Sequence, residues 1–124
     1  MPFKMTAAFC LFSMIAITRA VFAQEPTISD ATQECLGCHG YAHSGIVADW
    51  ASSRHAKVTP GEALKIEGLA LKVSNPEVPE ALRNTVVGCA ECHTLRPEAH
   101  ADTFDHNGYN VHVVVSPDDC QTCH

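Results

Sequence analysis

Methionine is confined to positions 1, 5 and 14, so no thioether from this residue is available to a metal anywhere later in the chain. Lysine and arginine are scarce as well. Two of the eight, Lys4 and Arg19, lie near the start, which leaves six for everything after residue 23. All 14 acidic residues fall in that later part, giving it a formal charge of −8 with histidine neutral. Such a chain is not a nucleic-acid binder, because neutralising phosphates needs clusters of Lys and Arg. Its field would steer a basic partner instead. Aromatic residues after position 23 are only Tyr41, Trp50, Phe104 and Tyr109. A domain of about 100 residues is already marginal in the surface it can bury, and side chains this small do not fill its middle.

One long hydrophobic run is present, Ala7 to Ile17, broken by Ser13 and preceded by Lys4. Val21-Phe22-Ala23 follows, with small side chains at the positions a signal peptidase reads. Residues 1–23 are therefore expected to be a secretory signal peptide, and residues 24–124 an exported, periplasmic segment. The run is shorter than the roughly 20 residues that span a bilayer, so membrane association is expected only if the presequence stays uncleaved. Cys10 has no lipobox-like surroundings and is not read as a lipid site.

The six cysteines outside the presequence fall into three pairs, each followed by histidine: Cys35-Leu36-Gly37-Cys38-His39, Cys89-Ala90-Glu91-Cys92-His93 and Cys120-Gln121-Thr122-Cys123-His124. C-x-x-C-H is the attachment sequence for c-type haem. Thiols three residues apart share one face of a helical turn and reach one porphyrin edge. The adjacent histidine then supplies the proximal nitrogen to the iron. Zinc sites and disulfides also use paired cysteines, but neither explains a histidine after every second one. The cofactor expected is three covalent haems c, held by Cys35, Cys38, Cys89, Cys92, Cys120 and Cys123, with His39, His93 and His124 on the metal.

Local signals predict short helices joined by loops. Asp30 and Gln33 form a capping pattern before the first motif, and Ser116-Pro117-Asp118-Asp119 starts a helix meant to carry Cys120 to His124. Val47, Ala51 and His55 recur at spacing four, which predicts an amphipathic helix over 45–58 with His55 on its apolar side. Thr59-Pro60-Gly61-Glu62 opens another helix, ending near Gly68, and Pro79 starts one through Val87. The stretch from Pro97 to Pro117 reads as a His-rich loop with at most a short strand at Val111–Val115. The motifs lie 54 and 31 positions apart, so there is no solenoid repeat.

With methionine gone, the second axial ligand must be histidine, a weaker donor or water. Five histidines lie outside the motifs: His43, His55, His100, His106 and His112. His55 leads on its helix face. His112 follows, because Val111-His112-Val113-Val114-Val115 offers an imidazole few polar partners. His100 and His106 are also candidates, and His43 reads as a local polar contact of His39. The fold expected is mostly α with extensive loops, a multihaem c-type cytochrome fold organised around covalent haems. The function expected is electron transfer to and from redox partner proteins, with a homo-oligomer left open.

Trp50-Ala51-Ser52-Ser53-Arg54-His55 after the first motif resembles the W-x-x-S-x-H segment of multihaem cytochromes related to hydroxylamine oxidoreductase. Gly88 to Leu95, and Asp105-His106-Asn107-Gly108-Tyr109 through His112 to Cys120, also look like the N-terminal part of that octahaem family. The resemblance covers most of residues 28–124. It implies a periplasmic, mostly helical protein with closely packed bis-His haems, in which His55 is a distal ligand and the later histidines ligate neighbouring haems. It also implies that this sequence is an N-terminal portion of a longer protein, since the family's catalytic haem would lie beyond His124. An oxidoreductase acting on hydroxylamine or nitrite is therefore the alternative to a small carrier.

Overall fold

Among the described residues, six short helices and one hairpin follow from the capping and turn residues. The computed structural model describes residues 26–124; the presequence, its cleavage after Ala23 and Cys10 lie outside the described residues. Ser29 takes the N-cap position one residue before Asp30, its hydroxyl accepting from the Thr32 N–H at 3.2 Å. Helix α1 then runs Asp30–Ala42. At His43 the backbone leaves helical geometry (φ −135°, ψ 48°), and α2 begins anew, Ser44–Ser52.

The helix expected over 45–58 stops early. Ser53 is extended (ψ 166°), and the Ser52 hydroxyl donates to the Asp49 carbonyl at 2.8 Å. A serine hydroxyl that takes a carbonyl of the preceding turn competes with the helix ladder and weakens a helix end. His55 thus lies in the turn that follows, not on an apolar helix face. Thr59 and Glu62 form the expected reciprocal cap, with Glu62 N–H to Thr59 Oγ1 at 3.2 Å and Thr59 N–H to Glu62 Oε2 at 3.0 Å. The helix it opens, α3, covers only Pro60–Ala63, and α4 only Glu80–Arg83. A 3₁₀ turn at Gly68–Ala70 lies between them. Helix α5 (Cys89–His93) carries the second cysteine pair and helix α6 (Pro117–Cys120) ends on Cys120, with a 3₁₀ turn at Pro97–Ala99 between them.

Inside the stretch read as a loop is a hairpin. Strands β1 (Phe104–His106) and β2 (Tyr109–Val111) pair antiparallel, Phe104 with Val111 and His106 with Tyr109. Asn107 and Gly108 connect them with φ of 53° and 83°. Positive φ at both central residues is the type I′ geometry that matches strand twist, and Asn-Gly is its preferred pair. The strand expected at Val111–Val115 therefore ends where that segment starts. Gly108→Ala should cost about 1–2 kcal/mol, because a Cβ is disfavoured in left-handed backbone. Thermal unfolding should then show a midpoint lower by roughly 4–8 °C per kcal/mol; an unchanged midpoint would mean that the turn bears no strain.

The apolar interior is small. Among the described residues the buried apolar side chains are Ala63, Val73, Val78, Val86 and Ala90, while Tyr41, Ile46, Val113 and Val114 are exposed. Ala63, Val73 and Val78 cluster with Val58, Leu64, Leu82 and Cys123. Helix α1 packs on α2 and α5, and α3 on α4. No helix among the described residues is long and apolar enough to cross a membrane.

Candidate functional site

Each cysteine pair occupies one helical turn. Cys35 and Cys38 lie on α1, Cys89 and Cys92 on α5. After α6 the turn continues, with the N–H groups of Cys123 and His124 both donating to the Cys120 carbonyl at 3.1 and 2.9 Å. The expected α6 extension through His124 is thus a helical turn held by these bonds. A strap formed by residues 72–75 clamps it: Ser74 and Asn75 N–H groups donate to the Cys123 carbonyl, and Asn75 Nδ2 donates to the Thr122 carbonyl, all at 3.1 Å.

Two motif histidines are oriented by backbone. His93 Nδ1 lies 2.9 Å from the His112 carbonyl, and His124 Nδ1 lies 2.6 Å from the Lys72 carbonyl. A carbonyl only accepts, so each Nδ1 carries the proton and each Nε2 keeps its lone pair. Metal-bound histidines are generally fixed in this manner.

An imidazole nitrogen binds a transition metal at about 2.0–2.1 Å, so two rings on opposite faces of one ion have centroids roughly 6 Å apart. Three pairs have this separation: His39 and His106 at 6.1 Å, His55 and His124 at 6.0 Å, His93 and His112 at 6.1 Å. The third pair differs in kind. His112 is fully buried, and its Nδ1 and Nε2 each lie 3.0 Å from a carbonyl, of Val114 and Leu95. Both of its ring nitrogens are thus turned to backbone carbonyls. The two residues are joined instead through backbone, His112 N–H donating to the His93 carbonyl at 2.9 Å.

His100 lies flat on His112, with centroids 3.5 Å apart and planes within 2°. Its Nε2 is 3.2 Å from the Asp119 carboxylate, which also accepts from Arg96 at 2.6 Å and from the Ser116 N–H and hydroxyl at 2.8 Å. Burial pushes the Asp119 carboxyl up, but the bonds from Ser116, Arg96 and His100 outweigh it and hold it well below the usual carboxylate range. His100, His112 and Asp119 form a convergent group of the kind that holds cations, the only one among the described residues. The Arg96 guanidinium and the two carbonyls on His112 already satisfy it, so it works as a polar lock behind His93. His43 stacks on His39 at 4.9 Å. His55 is exposed in its turn; burial lowers its pKa first, and the neighbouring His124 lowers it further.

A cavity of about 340 Å³ joins the first two motifs, walled by Cys35, His39, Trp50, Cys89, His93 and His106 among others. Trp50 is anchored there by its Nε1–H to the Val87 carbonyl at 2.9 Å. It therefore faces the first two motifs, while His55 faces the third. A smaller hollow beside His39 is lined by Cys38, His106 and Tyr109 among others.

No disulfide joins the six cysteines. Burial raises the thiol pKa of Cys35, Cys89 and Cys123, and pushes Cys92 up to about 11 with help from Cys120. The donor set fits haem: paired thiols on one turn at each motif, Nε2 left free on His93 and His124, and rings opposite His39 and His124 at the separation two axial ligands require.

Three features escape a reading of the motifs alone. The 72–75 strap carries no signal. Asp119 is visible as a helix-start acid, but its link to Arg96 is not. Glu91 sits in the spacer of the second motif, and its carboxylate reaches Ser29, Thr32 and Gly88.

No family model matches this sequence, and no curated protein matches it. A solved structure with the name "Hypothetical multiheme protein" is similar, with 50% sequence identity and a TM-score of 0.78 over 82% of this chain. The match spans 20% of that protein's length.

Proposed function

We propose that residues 24–124 carry three covalent c-type haems, one at each cysteine pair, and pass electrons along them as an exported, periplasmic segment of a multihaem cytochrome. The observation that carries this reading is the facing of His39 by His106 and of His124 by His55, each at iron-bridging separation and each beside a C-x-x-C pair. The 50% identity to a protein named as multihaem supports it. Haem, when bound, supplies a one-electron iron couple whose potential the axial ligands tune.

The protein's own groups divide the work. The six cysteines anchor, and His39, His93 and His124 present Nε2. His106 and His55 close the opposite sides of the first and third positions. His100 and His112, both candidates on sequence grounds, hold the segment behind His93 in place and are assigned no metal. His93 has no ring with a free nitrogen opposite it among the described residues. The second position is thus where an exogenous molecule or a ligand from elsewhere has access.

That open position, and a neighbour about four times as long, favour a second reading. In it the chain is the N-terminal part of a multihaem oxidoreductase, and the Trp50–His55 and Asp105–Tyr109 segments point to the hydroxylamine oxidoreductase-related family. Activity toward hydroxylamine or nitrite by a longer product, and none by residues 24–124 alone, is the outcome this reading expects.

Expression with a haem-maturation system and mass measurement under denaturing conditions tests the attachment. The expected result is three haem masses per chain that resist acid–acetone extraction. Pigment that extracts, or fewer than three additions with all motifs intact, contradicts it.

A further inference from the structure

Glu91 fills a spacer position that the attachment chemistry leaves free to vary. Its carboxylate accepts from the Ser29 hydroxyl, from the Thr32 hydroxyl at 2.7 Å and from the Gly88 N–H at 2.9 Å. Thr32 is fully buried and closes the link by accepting from the Ala90 N–H at 3.1 Å. One side chain on α5 thereby fastens the start of α1, the helix that carries the first cysteine pair. No Lys or Arg forms an ion pair with Glu91 among the described residues.

We propose that Glu91 is the positioning residue of the relay: it docks the first motif against the second, and its charge holds the reduction potentials of both centres down. The inference rests on the three-haem reading. Adding an electron adds negative charge, and a fixed carboxylate nearby opposes it, more strongly in partly buried surroundings than in water. The placement of that charge is geometric. Glu91 sits between Cys89 and Cys92 on α5, and its carboxylate is tied to Ser29 and Thr32 at the start of α1, the helix of Cys35 and Cys38. None of its hydrogen bonds reaches α6 or the turn that carries Cys123.

The test is potentiometric titration of the full, haem-loaded chain with three variants. Glu91→Gln keeps the shape and removes the charge. Two of the three midpoint potentials should rise, the third staying in place. Glu91→Asp keeps the charge on a shorter arm and should return both potentials toward those of the parent protein. Glu91→Ala should also weaken the signal from coupled haems in Soret circular dichroism. If Glu91→Gln binds three haems with unshifted potentials, or if Gln and Asp shift them alike, the electrostatic role is wrong. Unchanged Soret coupling in Glu91→Ala would overturn the docking role. Failure of the parent chain to bind three haems would instead overturn the relay reading, so the two failures are distinguishable.

Discussion

His106→Ala is expected to turn one low-spin iron high-spin, while His112→Ala is expected to leave the spin state alone and destabilise the fold. The contrast comes from where each ring points. His106 stands at the end of β1, held by the Asn107-Gly108 turn, with its ring 6.1 Å from His39. Removing it leaves the first iron without its second imidazole and does not touch the cysteines. His112 is buried between the carbonyls of Leu95 and Val114 and beneath His100. Its loss opens a cavity and takes the imidazole donor from a backbone carbonyl, at a cost of about 2–5 kcal/mol. His55→Ala should behave like His106→Ala at the third position. Electron paramagnetic resonance reads the spin states and thermal melting reads the stability. A high-spin signal from His112→Ala, with none from His106→Ala, would exchange their roles.

Gly88→Ala should be the most damaging small substitution. A Cβ at this position would sit 2.4 Å from Thr32 Cγ2, 2.5 Å from its Oγ1 and 2.9 Å from its Cβ. Thr32 is buried, stiff at χ1 and fixed by its bonds to Ala90 and Glu91. The residue cannot swing away as a long side chain would, so α1 must move or the link to α5 must break. Overpacking of this kind costs about 1–3 kcal/mol, and each buried hydrogen bond broken adds about 1–3 kcal/mol. Chemical unfolding should show a lower midpoint, and the first two motifs should lose their Soret coupling together. A melting curve and coupling like those of the parent protein would mean that the α1–α5 contact is looser than described.

The geometry of the cysteine pairs was legible because it is local. Two thiols and an imidazole within five positions need only one helical turn, and the structure provides such a turn at each motif. Caps were legible for the same reason: Thr59 with Glu62, and Ser116 with Asp119, act within three residues. Helix lengths were not, because the Ser52 hydroxyl competes for the Asp49 carbonyl where α2 ends and Ser53 turns extended, which periodicity does not register. The hairpin was in plain view as Asn107-Gly108, but the density of histidines around it favoured a loop. His112 shows the limit of inference from neighbours in sequence. Valines beside it suggested an imidazole short of partners, and the partners came from the backbone at Leu95 and Val114. Glu91 was hidden because its partners, Ser29 and Thr32, lie about 60 positions away, and long-range pairing leaves no trace in a single sequence.

Coulometric reduction of the purified, haem-loaded chain tests the central claim most directly. Three one-electron equivalents per chain, taken up and returned reversibly, are predicted, with the first and third centres low-spin throughout. A colourless protein, or a chain that accepts fewer than three electrons with all six cysteines intact, would contradict the account.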